Sequence, residues 1–125
     1  TTGRIDLVNA GHENPLHIHK GGAIEDVPLR GGPPLCVIDF PYAVETIQLA
    51  KGDTLVVITD GATEAANERN ELFGVEGVLS ALESVRGQSA PNRVNHLARE
   101  VRLFEGNTDP SDDLTILALR YVRED

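Results

Sequence analysis

Along the first half of the chain, apolar and polar positions alternate in short runs broken by glycine and proline. Ile5 to Ala10 (IDLVNA) carries a strand pattern and ends at the turn-rich Gly11-His12-Glu13-Asn14-Pro15. Pro15 to Lys20 (PLHIHK) puts Leu16 and Ile18 on one face and His17 and His19 on the other. Lys20-Gly21-Gly22 predicts a hairpin turn into Ala23–Leu29, and Arg30 to Pro34 (RGGPP) reads as a loop. Val44 to Leu49 sets Ile47 and Leu49 against Thr46 and Gln48, as a half-buried strand does. Lys51-Gly52-Asp53 then turns the chain into Thr54–Thr59 (TLVVIT), a strand apolar enough to be buried on both faces. So short a turn predicts that these two strands pair antiparallel.

The period then changes. Val75, Val78, Leu79, Leu82 and Val85 fall at helical spacing, as do Val94, Leu97, Ala98, Val101 and Phe104. Ser89 supplies a cap and Pro91 an early-turn proline for the second helix. Gly106 to Asp113 (GNTDPSDD) is a polar loop, and Leu114 to Val122 (LTILALRYV) a final strand. Strands in hairpins, two helices and a last strand make an α+β class, with the helices packed on one face of a mostly antiparallel sheet. No internal repeat, low-complexity tract or linker interrupts this order.

Composition narrows the function. At 125 residues the chain is one domain at most, and no apolar run approaches the roughly 18–20 residues of a membrane helix. Twenty acidic against eleven basic residues give a formal charge of −9, which argues against a nucleic-acid partner. The same surplus suits a cation, although most such acids are solvated surface. One cysteine, Cys36, excludes an internal disulfide framework and favours a reducing compartment, the cytoplasm. With no methionine and an opening Thr1-Thr2-Gly3, the chain reads as one whose initiator was trimmed or as a piece of a longer protein.

Acidic clusters flank two of the strands. Asp60 closes the strand Thr54–Thr59, and Asp112-Asp113 immediately precedes Leu114–Val122. If these strands are antiparallel neighbours, both clusters meet at one sheet edge. Carboxylates gathered there repel unless a divalent cation lies between them, and Mg²⁺ or Mn²⁺ prefers such oxygen ligands. Asp60 and Asp112 within about 6 Å of each other would suit one ion, whose ligands each stand roughly 2.1 Å away. The competing reading is that Asp60 opens a turn and Asp112 caps one.

The ordered set Asn9-Ala10-Gly11-His12, Lys51-Gly52-Asp53, Thr59-Asp60-Gly61-Ala62-Thr63-Glu64-Ala65, Glu71-Leu72-Phe73-Gly74 and Ser111-Asp112-Asp113-Leu114-Thr115-Ile116-Leu117 resembles one family across nearly the whole chain. It is similar to the C-terminal half of the bacterial PPM-type serine/threonine phosphatases of the SpoIIE/RsbU group. The resemblance implies an αββα sandwich in the complete domain, with a binuclear Mn²⁺ or Mg²⁺ site between the sheets. It implies that Asp60 and Asp112 are metal ligands and that Asp113 assists beside them. The two cations of such a site activate a water and hold the phosphate for in-line attack, so Cys36 has no nucleophilic role. The implied substrate is a phosphoserine or phosphothreonine of an anti-sigma-factor antagonist, with sensor or receiver domains N-terminal to the catalytic domain.

Two departures from the family pattern stand out. Gly32-Pro33-Pro34-Leu35 is followed by Cys36, where the family usually has a glycine. The family's earlier aspartates precede the NAGH motif, so residues 1–125 are expected to be the C-terminal portion of one domain. Such a portion would be nearly inactive alone and prone to self-association through uncovered strands and apolar faces. A non-catalytic module of the same fold that binds the partner is the alternative; aspartates upstream of Thr1 would decide between them. A phospho-acceptor receiver, which alternates strand and helix, fits neither the hairpins nor the late acidic pair.

Other polar residues are weaker candidates. His12 fits a turn with a structural hydrogen bond near the site, and Glu64 fits the ordering of the loop after Asp60 rather than ligation. His17 and His19 could bind a metal from their shared strand face, but a solvated face is the expectation. His96 has no evident partner in the sequence.

Overall fold

A computed structural model describes residues 2–109 and 113–122. The central sheet has four strands in the order β4-β3-β7-β8: Leu16–Ile18 (β3), Ile24–Asp26 (β4), Thr54–Ile58 (β7) and Ile116–Arg120 (β8), all pairing antiparallel. Three helices follow β7: α1 (Asp60–Thr63), α2 (Gly74–Ser84) and α3 (Ala90–Glu105). Their apolar stripes meet one sheet face, where Val78, Leu82, Leu97 and Val101 pack with Leu16, Ile18, Val56 and Ile58. The expected cap of α3 forms: Ser89 Oγ accepts from the Asn92 N–H at 3.3 Å, with a proline in the first turn.

The second sheet face is covered differently. Arg4–Leu7 (β1) pairs antiparallel with Glu45–Gln48 (β6) as a separate two-stranded sheet. Ile5, Leu7 and Ile47 from it pack with Leu49, Leu55 and Val27, forming a smaller core between the two sheets. Strand alternation makes this possible, because Val56 and Ile58 face the helices while Leu55 faces the second sheet.

The predicted β6–β7 hairpin is therefore corrected. Lys51-Gly52-Asp53 carries the chain from one sheet to the other, and its two strands never pair. The turn is anchored from outside itself, by the Gly52 N–H to the Tyr121 carbonyl at 2.9 Å. The run Ile5–Ala10 likewise divides at Val8 into β1 and a two-residue strand Asn9–Ala10 (β2). That strand pairs in parallel with Gly31–Gly32 (β5), inside the segment read as a loop.

Cys36 has φ +68°, in the left-handed region that glycine occupies without steric cost. The backbone conformation that a glycine would favour is thus retained at this position, at a cost of roughly 1–2 kcal/mol for the larger side chain.

Candidate functional site

Asp60 is exposed and is the first residue of α1, at the point where the chain leaves β7. Beside it runs the start of the last strand. Ile58 pairs with Ile116, the Thr59 N–H donates to the Thr115 carbonyl at 3.1 Å, and the Thr115 N–H donates to Thr59 Oγ1 at 3.0 Å. Thr59 Oγ1 also lies 3.2 Å from the Asp113 carbonyl. The end of β7 and the approach to β8 thus adjoin at one sheet edge, as the antiparallel pairing requires.

Gly61 makes this approach possible. A Cβ built on it would lie 2.2 Å from the Asp113 oxygen and 2.8 Å from its carbonyl carbon. Both are backbone atoms, and the Asp113 carbonyl is also held by the Thr59 hydroxyl just before β8, so neither swings aside as a side chain would. Gly61→Ala is expected to cost about 1–3 kcal/mol through forced separation of the two segments, as overpacking does elsewhere. Urea unfolding checks this; an unchanged midpoint would mean that the segments part freely.

The opposite wall of the site comes from the turn after β2. Asn9 is buried, and its side chain bonds the turn twice: Nδ2 donates to the His12 carbonyl at 2.9 Å and Oδ1 accepts the His12 N–H at 2.8 Å. Gly11, at φ +89°, sits against the ring of Pro34, where a Cβ would come within 3.1 Å of it. The pinned turn presents His12 and Glu13. Glu13 Oε1 accepts from Thr63 Oγ1 at 3.1 Å, which ties the turn to α1.

Between these walls is an open cleft of about 450 Å³, lined by Gly11, His12, Glu13, Thr59, Asp60 and Glu64. Its lining carries three carboxylates and neither lysine nor arginine. Such a hard, anionic donor set fits Mg²⁺ or Mn²⁺. Asp60, His12 and Glu64 are brought together here, and Asp113 adjoins through its backbone. Asp112, the second expected ligand, lies outside the described residues. Among the described residues, the carboxylates of Glu13, Asp60 and Glu64 do not converge as a trio. Glu13 escaped the sequence reading because an acid in a turn has no local signal; only the fold brings it to the cleft.

Two histidine expectations are corrected. His17 is buried at 8% exposure, because its strand face meets the second sheet and not solvent. Its Nε2 lies 2.8 Å from Oδ2 of Asp53, which is 2% exposed. The Asp53 carboxylate also accepts the Lys20 N–H at 2.9 Å and the Ala50 N–H at 3.0 Å. Burial pushes the Asp53 carboxyl up, but these hydrogen bonds outweigh it and hold the group below its ordinary value. His96 also has a partner: its Nε2 lies 2.8 Å from Ser84 Oγ, linking α3 to α2.

The family model of Stage II sporulation protein E (SpoIIE) matches residues 1–122. This chain belongs to the SpoIIE family. Among its relatives, protein IcfG of Synechocystis sp. (strain ATCC 27184 / PCC 6803 / Kazusa) is 25% identical over 123 residues, which are 95% of this chain and 19% of IcfG. The SiaA-PP2C domain of Pseudomonas aeruginosa is 23% identical with a TM-score of 0.76, covering 96% of this chain and 47% of that one. A SpoIIE structure from Bacillus subtilis, comprising the PP2C phosphatase domain and a fragment of the regulatory domain, is 17% identical with a TM-score of 0.78. That match covers 98% of this chain and 35% of the SpoIIE chain. The chain therefore has the fold of the SpoIIE-family PP2C, or PPM, phosphatase domains and spans less than half the length of these relatives. No helix among the described residues is long and apolar enough to cross a membrane.

Proposed function

We propose that this chain supplies the Asp60 side of a metal-dependent PPM phosphatase site, and that the parent protein hydrolyses phosphoserine or phosphothreonine on a protein. The observation that carries this reading is the position of Asp60 in a cleft with three carboxylates and neither lysine nor arginine, where the next residue, Gly61, packs against the backbone of Asp113. Asp60 and Asp112 would hold Mn²⁺ or Mg²⁺, with Asp113 beside them. A cation bound there would supply an activated water and a counter-charge for phosphate. The chain's own residues do the rest: Asn9 and Gly11 fix the NAGH turn, Thr59 fixes the approach to β8, and Glu13 braces α1. RsbX, which is 18% identical to this chain with a TM-score of 0.60, was crystallised in complex with magnesium, and this supports the choice of ion.

The substrate we infer is an anti-sigma-factor antagonist, with sensor or receiver domains elsewhere in the parent chain. Support comes from family membership and from the small share of IcfG that the match covers. Leu117 and Leu119 stand on the face of β8 away from the helices, 59% and 47% exposed. We place the remaining strands of the phosphatase domain over them, so that residues 1–125 act as the C-terminal part of one domain.

The test is hydrolysis of a phosphoserine peptide by the parent domain with Mn²⁺ or Mg²⁺, and again in EDTA. Turnover is expected only with metal. Full activity in EDTA would overturn the proposal.

A further inference from the structure

The strand pairing builds a second cluster of metal-ligating side chains, at the other end of β7. His17 lies in β3 and His19 just past its end, two residues on, and Glu25 is the direct cross-strand partner of His17 in the β3–β4 hairpin. The three side chains therefore share one sheet face. Each offers a ligand atom, and all these atoms lie within 4.8 Å of one another. The two imidazole rings stack with centroids 4.1 Å apart. Asp60 is the length of β7 away, about 17 Å at ~3.3 Å per residue.

We propose that His17, His19 and Glu25 form a binding site for a zinc-class dication, separate from the Asp60 cleft and independent of the phosphatase reading. Two observations favour an ion over a plain hydrogen-bonded cluster. His19 Nε2 is shielded from solvent and has no hydrogen bond, although Glu25 Oε2 is only 3.1 Å from it. Two ligands of one tetrahedral ion, each about 2.0–2.2 Å from it, stand about 3.4 Å apart. That is close to the separation found here, without the angle a hydrogen bond needs.

The second observation is Asp53. Its Oδ2 takes the Nε2 side of His17 at 2.8 Å, and its carboxylate is itself fixed by the Lys20 and Ala50 N–H groups. A ring that donates one N–H to a carboxylate presents its other nitrogen as a base, and ligating histidines are held and made more basic in this way. Asp53 thus orients the ligand His17 and is not itself required as one.

The donor set selects the metal. Two imidazoles and one carboxylate suit Zn²⁺, with a water in the fourth position, and do not suit Mg²⁺. No ligand separation exceeds 4.8 Å, so closing any of them onto one ion takes at most about 1.4 Å of movement. Glu25, with a side chain 66% exposed, is free to move toward the histidines. The bound ion would clip β3 to β4 within the hairpin, since His17 and His19 come from one arm and Glu25 from the other.

The test uses Co²⁺ as a spectroscopic substitute and Zn²⁺ in competition with a chromophoric chelator, on the full chain. One ion per chain is expected, with the visible absorption of a tetrahedral Co²⁺ site, in the presence of millimolar Mg²⁺. His19→Gln and Glu25→Gln should each weaken Zn²⁺ at least about tenfold, whereas Asp60→Asn should leave this affinity unchanged. Circular dichroism in chelator establishes that the variants fold, and the exposure of Glu25 keeps the second variant informative if the first does not. Absence of binding, or equal affinity in Glu25→Gln and the unsubstituted chain, would mean an ion-paired cluster only and would overturn the proposal.

Discussion

Asp60→Asn is expected to lower metal-dependent phosphatase activity of the parent domain by at least about 100-fold, with no loss of folded protein. Asparagine keeps the size and one oxygen of aspartate but removes the charge. A divalent cation in an oxygen site depends on that charge, both for affinity and for offsetting its own field. Even residues that act only through a ligand typically cost 10–100-fold when removed, so loss of a ligand should exceed that range. Asp60 is exposed at the start of a four-residue helix, and its side chain is not part of either core. The unfolding midpoint should therefore change little. Activity within a few-fold of the unsubstituted domain at saturating Mn²⁺ would sink the ligand assignment.

Asp53→Ala should be the most destabilising of the polar truncations. The substitution removes the acceptor for His17 Nε2 and for the Lys20 and Ala50 N–H groups at once. Each buried donor left without a partner costs roughly 1–3 kcal/mol, and breaking a buried pair roughly 3–5 kcal/mol. A total of about 3–5 kcal/mol is a large share of the 5–15 kcal/mol that typically holds a domain folded. The loss would be read in chelator as a lower urea midpoint at constant slope. Its pH dependence follows from the lowered carboxyl. Because the folded pKa lies below the ordinary value of 3.8, the contribution of Asp53 is complete above that value and disappears as pH falls through the folded one. Truncation of the exposed Asp6 should barely move the midpoint. If Asp53→Ala is equally mild, the turn after β6 is not the anchor described above.

The helices and the β7–β8 edge were legible in the sequence for a common reason. Each rests on local periodicity: the 3.6-residue stripes of α2 and α3, the cap at Ser89, and two apolar strands whose ends adjoin once they pair antiparallel. The turn at Lys51-Gly52-Asp53 was not legible in this way. A tight turn specifies a reversal of direction, but not whether the strands it joins share a sheet. Here Asp53 and Tyr121 hold it between two sheets, through contacts far away in sequence. The β2–β5 pairing is made by backbone at glycines, which carry no side-chain pattern to read.

The histidines make the same point for chemistry. Alternation correctly put His17 and His19 on the face away from Leu16 and Ile18. It could not say that this face meets another sheet, so burial of His17 against Asp53 came as a correction. The signal available was an acid set directly before the apolar run of β7, where a buried partner is needed. The cleft shows the reverse balance: Asp60, His12 and Glu64 were visible as motif residues, whereas Glu13 joins the lining of the cleft only through the fold.

Metal ligation by Asp60 is the central claim. The direct measurement is a crystal structure of the parent domain grown with Mn²⁺ and phased on the manganese anomalous signal. An anomalous peak about 2.1–2.2 Å from an Asp60 carboxylate oxygen, in the cleft shared with Glu13 and Glu64, is the predicted result. A fully occupied manganese elsewhere, with Asp60 turned to solvent, would contradict it.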